Sequence, residues 1–411
     1  MSTFTIDSNL QNIIFNGYDV QKLVYNGVQV WTKGSGPGPG PTPVPYDQEY
    51  FTITSFRDNN TISIRQGCYR DANTANQGYT IELYKSSDKI TWTQILFHDT
   101  KSYFTTKTLN TVTITLNEGE SIYLKGNNNA LNCGDNNTYA TIINGTVNTS
   151  AGQFEASGNI MSLLWGDNFI GKTDAPIPYT SDKAGYTFDY LFSGTSNTVR
   201  NNLNSAKNLV LPLNTYPKWC YQAFFRYSNL YYAPKELPAE VAQDRNTLIW
   251  FFSECTNLQE TSVVRLTTTS SGDSWINYIC NGSYNKNIKR TIFLLESGYP
   301  NFYDTTTKNN CIKYKLSTNT QTGLNWRDFS ENSNDYIHIS AEANYPYGCI
   351  VSGLSDYYQS GDTVNLFVNI FNSSKYSFGG IYLNDTLVSS SQSYSFTASE
   401  DKHFTVQLIL K

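Results

Sequence analysis

Between positions 186 and 294 apolar residues recur at helical spacing, in sets that repeat at a period of roughly 30 residues. Phe188, Leu191 and Phe192 are followed by Cys220, Ala223, Phe224 and Tyr227, then by Leu248, Phe251, Phe252 and Cys255, then by Trp275, Tyr278 and Ile279. Offsets of three, four and seven place each set on one stripe of a helix. Extended segments trail the sets at 208–212, 236–238, 263–266 and 291–294, and Asn229-Leu230 and Asn257-Leu258 mark turns out of the second and third helices. One short helix cannot bury its stripe alone, so the units are expected to stack and share a continuous core. The expectation is a helix-plus-strand solenoid over residues 150–333, capped at 150–185 and closed by polar sequence after 299.

Elsewhere the pattern alternates as strands do. Residues 47–149 carry several short runs of alternating polarity, among them 79–84, 91–95, 111–116 and 121–124, separated by turn-rich spacers such as Asp58-Asn59-Asn60. They read as a β-sandwich of immunoglobulin type. Its bland role is a spacer; its Tyr, Trp and Asn residues would also suit loops that bind sugars. Residues 334–411 return to strand patterns and read as a separate small β domain. At the other end, Phe15-Asn16-Gly17 and Tyr25-Asn26-Gly27 place an Asn-Gly pair in each of two tiny hairpins, and Val30-Trp31 closes the second. About thirty residues cannot build an independent core, so residues 1–33 are expected to become ordered by docking onto another protein. The Gly/Pro segment 34–46 that follows is a linker able to span roughly 35 Å at ~3.1 Å per residue.

The charge balance removes several function classes. With 29 basic and 34 acidic residues, and no basic run, the chain lacks a nucleic-acid footprint. No run of about 18 apolar residues and no secretory leader pattern occurs, so neither membrane insertion nor export by the general secretory route is expected. Seven scattered cysteines without a C-x-x-C spacing argue against a disulfide framework or structural zinc, and Cys220 and Cys255 read as buried reduced thiols. His98, His338 and His403 sit apart from any nucleophile motif, and no Walker, zincin or EF-hand pattern is present. Gly134-Asp135-Asn136-Asn137 and Asp58-Asn59-Asn60 carry oxygen ligands, but turns use these residues for their own backbone. No catalytic residue, metal or cofactor is assigned, and the chain is not expected to be an enzyme.

Three stretches resemble known families. The Asn-Gly doublet with Val30-Trp31 and the Gly/Pro linker looks like the N-terminal attachment piece of phage virion proteins. Residues 158–163, 166–171, Cys220-Tyr221, Phe224, Leu230 and 233–238 resemble the leucine-rich-repeat-like surface proteins of gut Bacteroides and their phages, including crAss-like phages. Residues 361–364, Tyr376, Phe378, Leu387-Val388, Tyr394 and Phe396 are similar to the internalin-type B repeat. The resemblances and patterns together imply a multidomain, mainly β protein with a central α/β leucine-rich-repeat-like solenoid, a β-sandwich before it and a small β domain after it. They further imply a non-enzymatic head or tail fibre on the virion surface, in which Phe15, Asn16, Gly17, Tyr25, Asn26, Gly27, Val30 and Trp31 attach the chain to a capsid or tail protein. The body would oligomerise and engage a bacterial surface glycan, with Tyr231, Tyr232 and Trp250 stacking on sugar rings. A bacterial leucine-rich-repeat adhesin and a passive capsid decoration are the alternative implications.

Overall fold

The structure is a computed structural model, and it describes residues 13–15, 18–20, 22–25, 28–32, 45–65, 69–70, 76–77, 80–99, 111–128, 131, 142–145, 153–174, 176, 187–196, 198–212, 220–237, 250–258, 263–266, 292–295, 312–316, 327–330, 332–354 and 357–411. The chain divides into two compact units, Met1–Pro45 and Tyr46–Lys411. In the first, Ile13–Phe15 pairs antiparallel with Tyr18–Val20, and Lys22–Tyr25 with Val28–Thr32. The registers set Phe15 opposite Tyr18 and Tyr25 opposite Val28, so two residues join each pair of strands. Asn16, Gly17, Asn26 and Gly27, like the linker residues 34–44, lie outside the described residues.

The second unit is a mixed β-sheet architecture, which corrects the expected α/β leucine-rich-repeat-like solenoid. The described helical residues there, apart from short 3-10 turns at Tyr46–Gln48 and Ser333–Asp335, form one seven-residue segment: the α-helix Ser162–Trp165 and the 3-10 turn Gly166–Asn168. Among the described residues no sheet closes on itself. The stretches containing Phe188, Tyr221, Phe224 and Phe251 are turns. Tyr190, Ala223, Tyr227, Trp250 and Glu254 all have φ between 51° and 62°, which breaks any run of i to i−4 helical hydrogen bonds. Their backbone groups bond in two other directions. Leu191, Ser193, Phe224, Arg226 and Ser228 N–H donate to the carbonyl three residues earlier. Phe188, Tyr190, Phe192 and Gly194 N–H donate sideways to the carbonyls of Cys220, Gln222, Phe224 and Arg226, at 2.8–3.0 Å, and Phe225 and Tyr227 N–H reach Phe251 and Ser253 at 3.0 Å.

This lateral bonding sets which rings meet. Phe192 stacks on Phe225 and Phe225 on Phe252, each at 5.8 Å between centroids; Phe224 stacks on Phe251 at 5.6 Å and Phe188 on Tyr221 at 5.7 Å. The partner of Phe188 is thus Tyr221, one residue beyond the Cys220 that the sequence spacing aligned with it. The fourth set, Trp275, Tyr278 and Ile279, lies outside the described residues, as does Leu248. The extended segments that follow the turns are strands: Glu236–Leu237, Val263–Leu266, Ile292–Leu295, Ile312–Leu316 and Arg327–Phe329 form one parallel five-stranded sheet.

Six strands form the largest sheet, in the order Thr93–Asp99, Thr80–Ser86, Ser121–Lys125, Phe51–Ser55, Phe154–Asn159, Leu203–Val210. Its last pair is parallel and the others antiparallel, so the sheet is mixed, unlike an immunoglobulin-type sheet, and it continues past residue 150. Phe51, Ile53, Ile122, Leu124 and Phe154 point inward with Ile62, Ile64 and Leu116 of the three-stranded sheet Thr111–Leu116, Asn60–Arg65, Ile142–Gly145. The same core includes the stacked turns, which it meets where Phe51 lies 6.0 Å from Phe192.

Residues 336–354 and 357–411 hold a four-stranded and a three-stranded sheet around Tyr358, Val364, Leu366, Ile381, Phe404 and Val406. Phe371 stacks on Phe56 at 5.0 Å, with Ile350 and Tyr232 buried beside them. The Lys375 ammonium lies 3.0 Å from Glu118 and 3.3 Å from Asp58, and Tyr376 donates to Glu118 at 2.6 Å. The ion pairs are half open to water and contribute at most about 1 kcal/mol, so burial of the aromatic contact stabilises this junction more than they do.

Phe225→Ala removes the ring between Phe192 and Phe252 and is expected to cost about 3–5 kcal/mol in urea denaturation, while Phe225→Leu costs less than half of that. A change below 1 kcal/mol for the alanine variant, roughly the scale of an ordinary surface substitution, would refute the stacked-turn core.

Candidate functional site

Tyr231 and Tyr232 belong to one apolar cluster and Trp250 to another. Tyr231 packs against Phe371 at 6.5 Å, at the contact between the C-terminal sheets and the rest of the unit. Tyr232 is buried, with the Lys207 ammonium 5.0 Å from its ring centre. Trp250 packs beside Tyr190 and Ala223, and the Arg226 guanidinium lies 4.8 Å over its ring and 4.7 Å over Tyr227. Among the attachment residues, Phe15, Tyr25, Val30 and Trp31 fall within the hairpin strands of the first unit.

A different set of aromatic residues gathers on the outer face of the six-stranded sheet. Side chains alternate along a strand, so the partners of inward Phe51, Ile53, Ile122 and Leu83 are outward Thr52, Thr54, Tyr123 and Tyr84. Pairing sets Tyr123 directly beside Tyr84 and Lys125 beside Glu82. Tyr84, Tyr123 and Tyr50 then form a continuous stack, with both spacings 4.6 Å and both interplanar angles 15°. Phe169 closes the Tyr50 end at 5.0 Å, and Trp92 meets Tyr123 at 4.7 Å with its plane turned by 65°. All four of Tyr50, Tyr84, Trp92 and Tyr123 are half-buried.

The polar groups form a chain along this stack. Tyr84 donates to Glu82 at 2.7 Å, and Glu82 lies 3.6 Å from the Lys125 ammonium. Lys125 donates to Asp167 at 2.7 Å, and Tyr50 donates to the same Asp167 oxygen at 2.7 Å. The ammonium also sits 5.3 Å over Tyr84 and 5.8 Å over Tyr50. Burial, then the bond to Asp167, pushes the Tyr50 hydroxyl up to about 12, and burial pushes Tyr123 up to about 12. The bonds from Lys125 and Tyr50 hold the Asp167 carboxyl below its ordinary value. Burial lowers the Lys125 ammonium, but the bond to Asp167 and the nearby carboxylates outweigh it and raise it overall.

Two local devices position these groups. At Gly158 φ is +73°, and a Cβ there would stand 2.1 Å from the Tyr50 carbonyl oxygen. Only glycine lets the segment carrying Tyr50 lie against the sheet, where Asn159 N–H donates to Glu49 at 2.8 Å. The turn that carries Trp92 is organised by Asp88, whose Oδ1 accepts from Thr91 N–H at 2.7 Å, Ile90 N–H at 2.8 Å and Ser86 Oγ at 2.8 Å. The backbone bonds from Thr91 and Ile90 bring its carboxyl down to about 2. From the same turn Lys89 reaches across the face to Glu155 at 3.7 Å and to the Tyr347 ring at 5.7 Å. Beneath it the outward row Ser86, Ser121 and Thr54 is buried, with Thr54 and Ser121 hydroxyls 2.9 Å apart. Burial, followed by the charge of Lys89 acting the other way and that of Glu155, raises the Glu49 carboxyl, and burial raises Glu155.

No group of three or more potential metal ligands occurs among the described residues; Asp58 pairs with Lys375, and the calcium candidates at 134–137 lie outside the described residues. Cys220, Cys255 and Cys349 are free and buried, with their thiols raised by burial, Cys255 to about 11 and Cys349 to about 12. Among the described residues no helix is long and apolar enough to cross a membrane. Comparison with family models, with curated proteins and with solved structures returns no match.

Asp167→Asn tests the electrostatics of the stack. In an alkaline ultraviolet difference titration Tyr50 and Tyr123 are expected to ionise near 12 rather than at the usual ~10, and the substitution is expected to lower Tyr50 while leaving Tyr123 nearly in place. Ionisation of every tyrosine near 10 in the native protein would contradict the geometry.

Proposed function

We propose that this chain is a non-enzymatic appendage protein of a phage particle, held by its first 33 residues to a capsid or tail protein and carrying a body that adheres to a bacterial surface glycan. The observation that carries the reading is the division into a small unit, Met1–Pro45, and a large one, Tyr46–Lys411. The small unit contains two hairpins of three to five residues per strand, too little to bury a core by itself. Such hairpins gain stability by docking onto a partner, and the Gly/Pro segment after them decouples that docking from the body. The large unit has ample core of its own and an outer sheet face on which half-buried aromatic rings lie beside the half-buried Glu82 and Lys125 and the exposed Asp167. Aromatic rings beside carboxylates support a reading of adhesion to hydroxyl-rich ligands.

Deletion of residues 1–45 is expected to abolish incorporation into particles, as read by quantitative immunoblotting of purified virions, while residues 46–411 keep their cooperative unfolding transition. Fusion of residues 1–45 to an unrelated soluble protein is expected to carry that protein onto the particle. Full incorporation of the deleted chain would overturn the anchoring role.

A further inference from the structure

We propose that the face built from Tyr50, Tyr84, Trp92 and Tyr123 binds a neutral, hydroxyl-rich glycan and rejects acidic ones. This rests on the adhesive reading above and makes its ligand class specific. Hydrogen-bond acceptors outnumber free donors on this face. Both hydroxyl protons with assigned partners are already donated, Tyr84 to Glu82 and Tyr50 to Asp167, so these oxygens meet an incoming ligand as acceptors. Asp167 has 64% of its side chain exposed and Glu82 has 26%, and ionised carboxylates accept only. Lys125, the donor at the centre, is 13% exposed and lies between the two carboxylates.

Charge agrees with that balance. Around the ladder two carboxylates, Glu82 and Asp167, face one ammonium, Lys125. Around the adjoining turn one carboxylate, Glu155, faces one ammonium, Lys89, at 3.7 Å. The ladder therefore carries a surplus of negative charge, and the turn beside it does not offset that surplus. A uronate, sulfate or phosphate group would bring further acceptors and further negative charge to such a face, and both interactions are unfavourable. Sugar hydroxyls bring donors, and a carboxylate accepts well from two neighbouring hydroxyls at once.

The apolar part of the contact falls to Trp92. The three tyrosines cover one another's ring faces at 4.6 Å, so their edges and oxygens are what they offer outward. Trp92, turned 65° from Tyr123, lies across this stack on a turn fixed by Asp88, and its half-buried indole supplies the flat surface on which the C–H face of a sugar ring packs. The ionic states of Asp167, Lys125, Tyr50 and Tyr123 stay constant from mild acid to mild alkali, so these four groups give binding no pH dependence between about 6 and 9.

The test is titration calorimetry of the full chain with neutral gluco- and manno-oligosaccharides and with oligouronates of equal length. Saturable binding of a neutral series is expected, with Trp92→Ala weakening it by about tenfold and Asp167→Asn by several-fold. Both variants change partly exposed side chains, and an unaltered denaturation curve shows that they fold. Binding of oligouronates in preference to neutral sugars would overturn the ligand class and leave the adhesive role standing. Neutral binding unaffected by either variant would overturn the location. Absence of binding to every glycan would overturn this inference together with the adhesive part of the proposed function, while particle incorporation through residues 1–45 would still be judged by the deletion experiment.

Discussion

Backbone hydrogen bonding repeats at a nearly fixed distance from one strand or turn to the next, and in this protein that distance decides where aromatic rings can go. Neighbouring hydrogen-bonded layers lie about 4.8 Å apart, a spacing at which rings at equivalent positions of successive layers meet face to face. Inside the molecule the outcome is the file Phe192, Phe225 and Phe252. Outside it is the pair Tyr84 and Tyr123, opposite each other on neighbouring strands, with Tyr50 joining on the diagonal two residues before the Thr52 that pairs with Tyr123. One stack supplies core; the other leaves oxygens and carboxylates at the surface. The central strand Phe51–Ser55 commits both at once, because its alternation sends Phe51 and Ile53 into the core and Thr52 and Thr54 to the ladder face.

The recurrence of apolar sets was legible in the sequence, and so were many strands, the two N-terminal strand pairs among them. The conformation of the recurring sets was not. Phe188, Leu191 and Phe192 have the spacing of a helical face, but stacked turns with αL residues produce the same spacing, and the two differ only in where the amides bond. Tyr190, Ala223 and Trp250, residues that adopt positive φ, carry no sequence mark of it, since none is glycine. The lateral partners of those amides lie roughly 25 to 35 residues away, beyond any local pattern.

The aromatic face was hidden in the sequence for a related reason. Tyr231, Tyr232 and Trp250 look like surface rings, whereas Tyr84 and Tyr123 of the face lie in strands, where Glu82-Tyr84-Ser86 and Ser121-Tyr123-Lys125 share one polar parity and so one face. What could not be read was their register, which depends on strands far apart in the chain: Tyr123 pairs with Tyr84 on one side and Thr52 on the other. Tyr231 and Tyr232 instead serve the contact with Phe371, a packing role set by a residue far downstream. Tyr231 and Trp250 are as half-buried as Tyr50, Tyr84, Trp92 and Tyr123, so packing partners, rather than residue type or burial, distinguish the two sets.

The lateral bonding of the turns is most directly tested by scalar couplings transmitted through hydrogen bonds in isotope-labelled protein. A coupling between the amide nitrogen of Phe225 and the carbonyl carbon of Phe251, in the next layer, is the result that lateral bonding predicts. A coupling from Phe225 to the carbonyl of Tyr221, four residues back along the same segment, would show a helix there and contradict it.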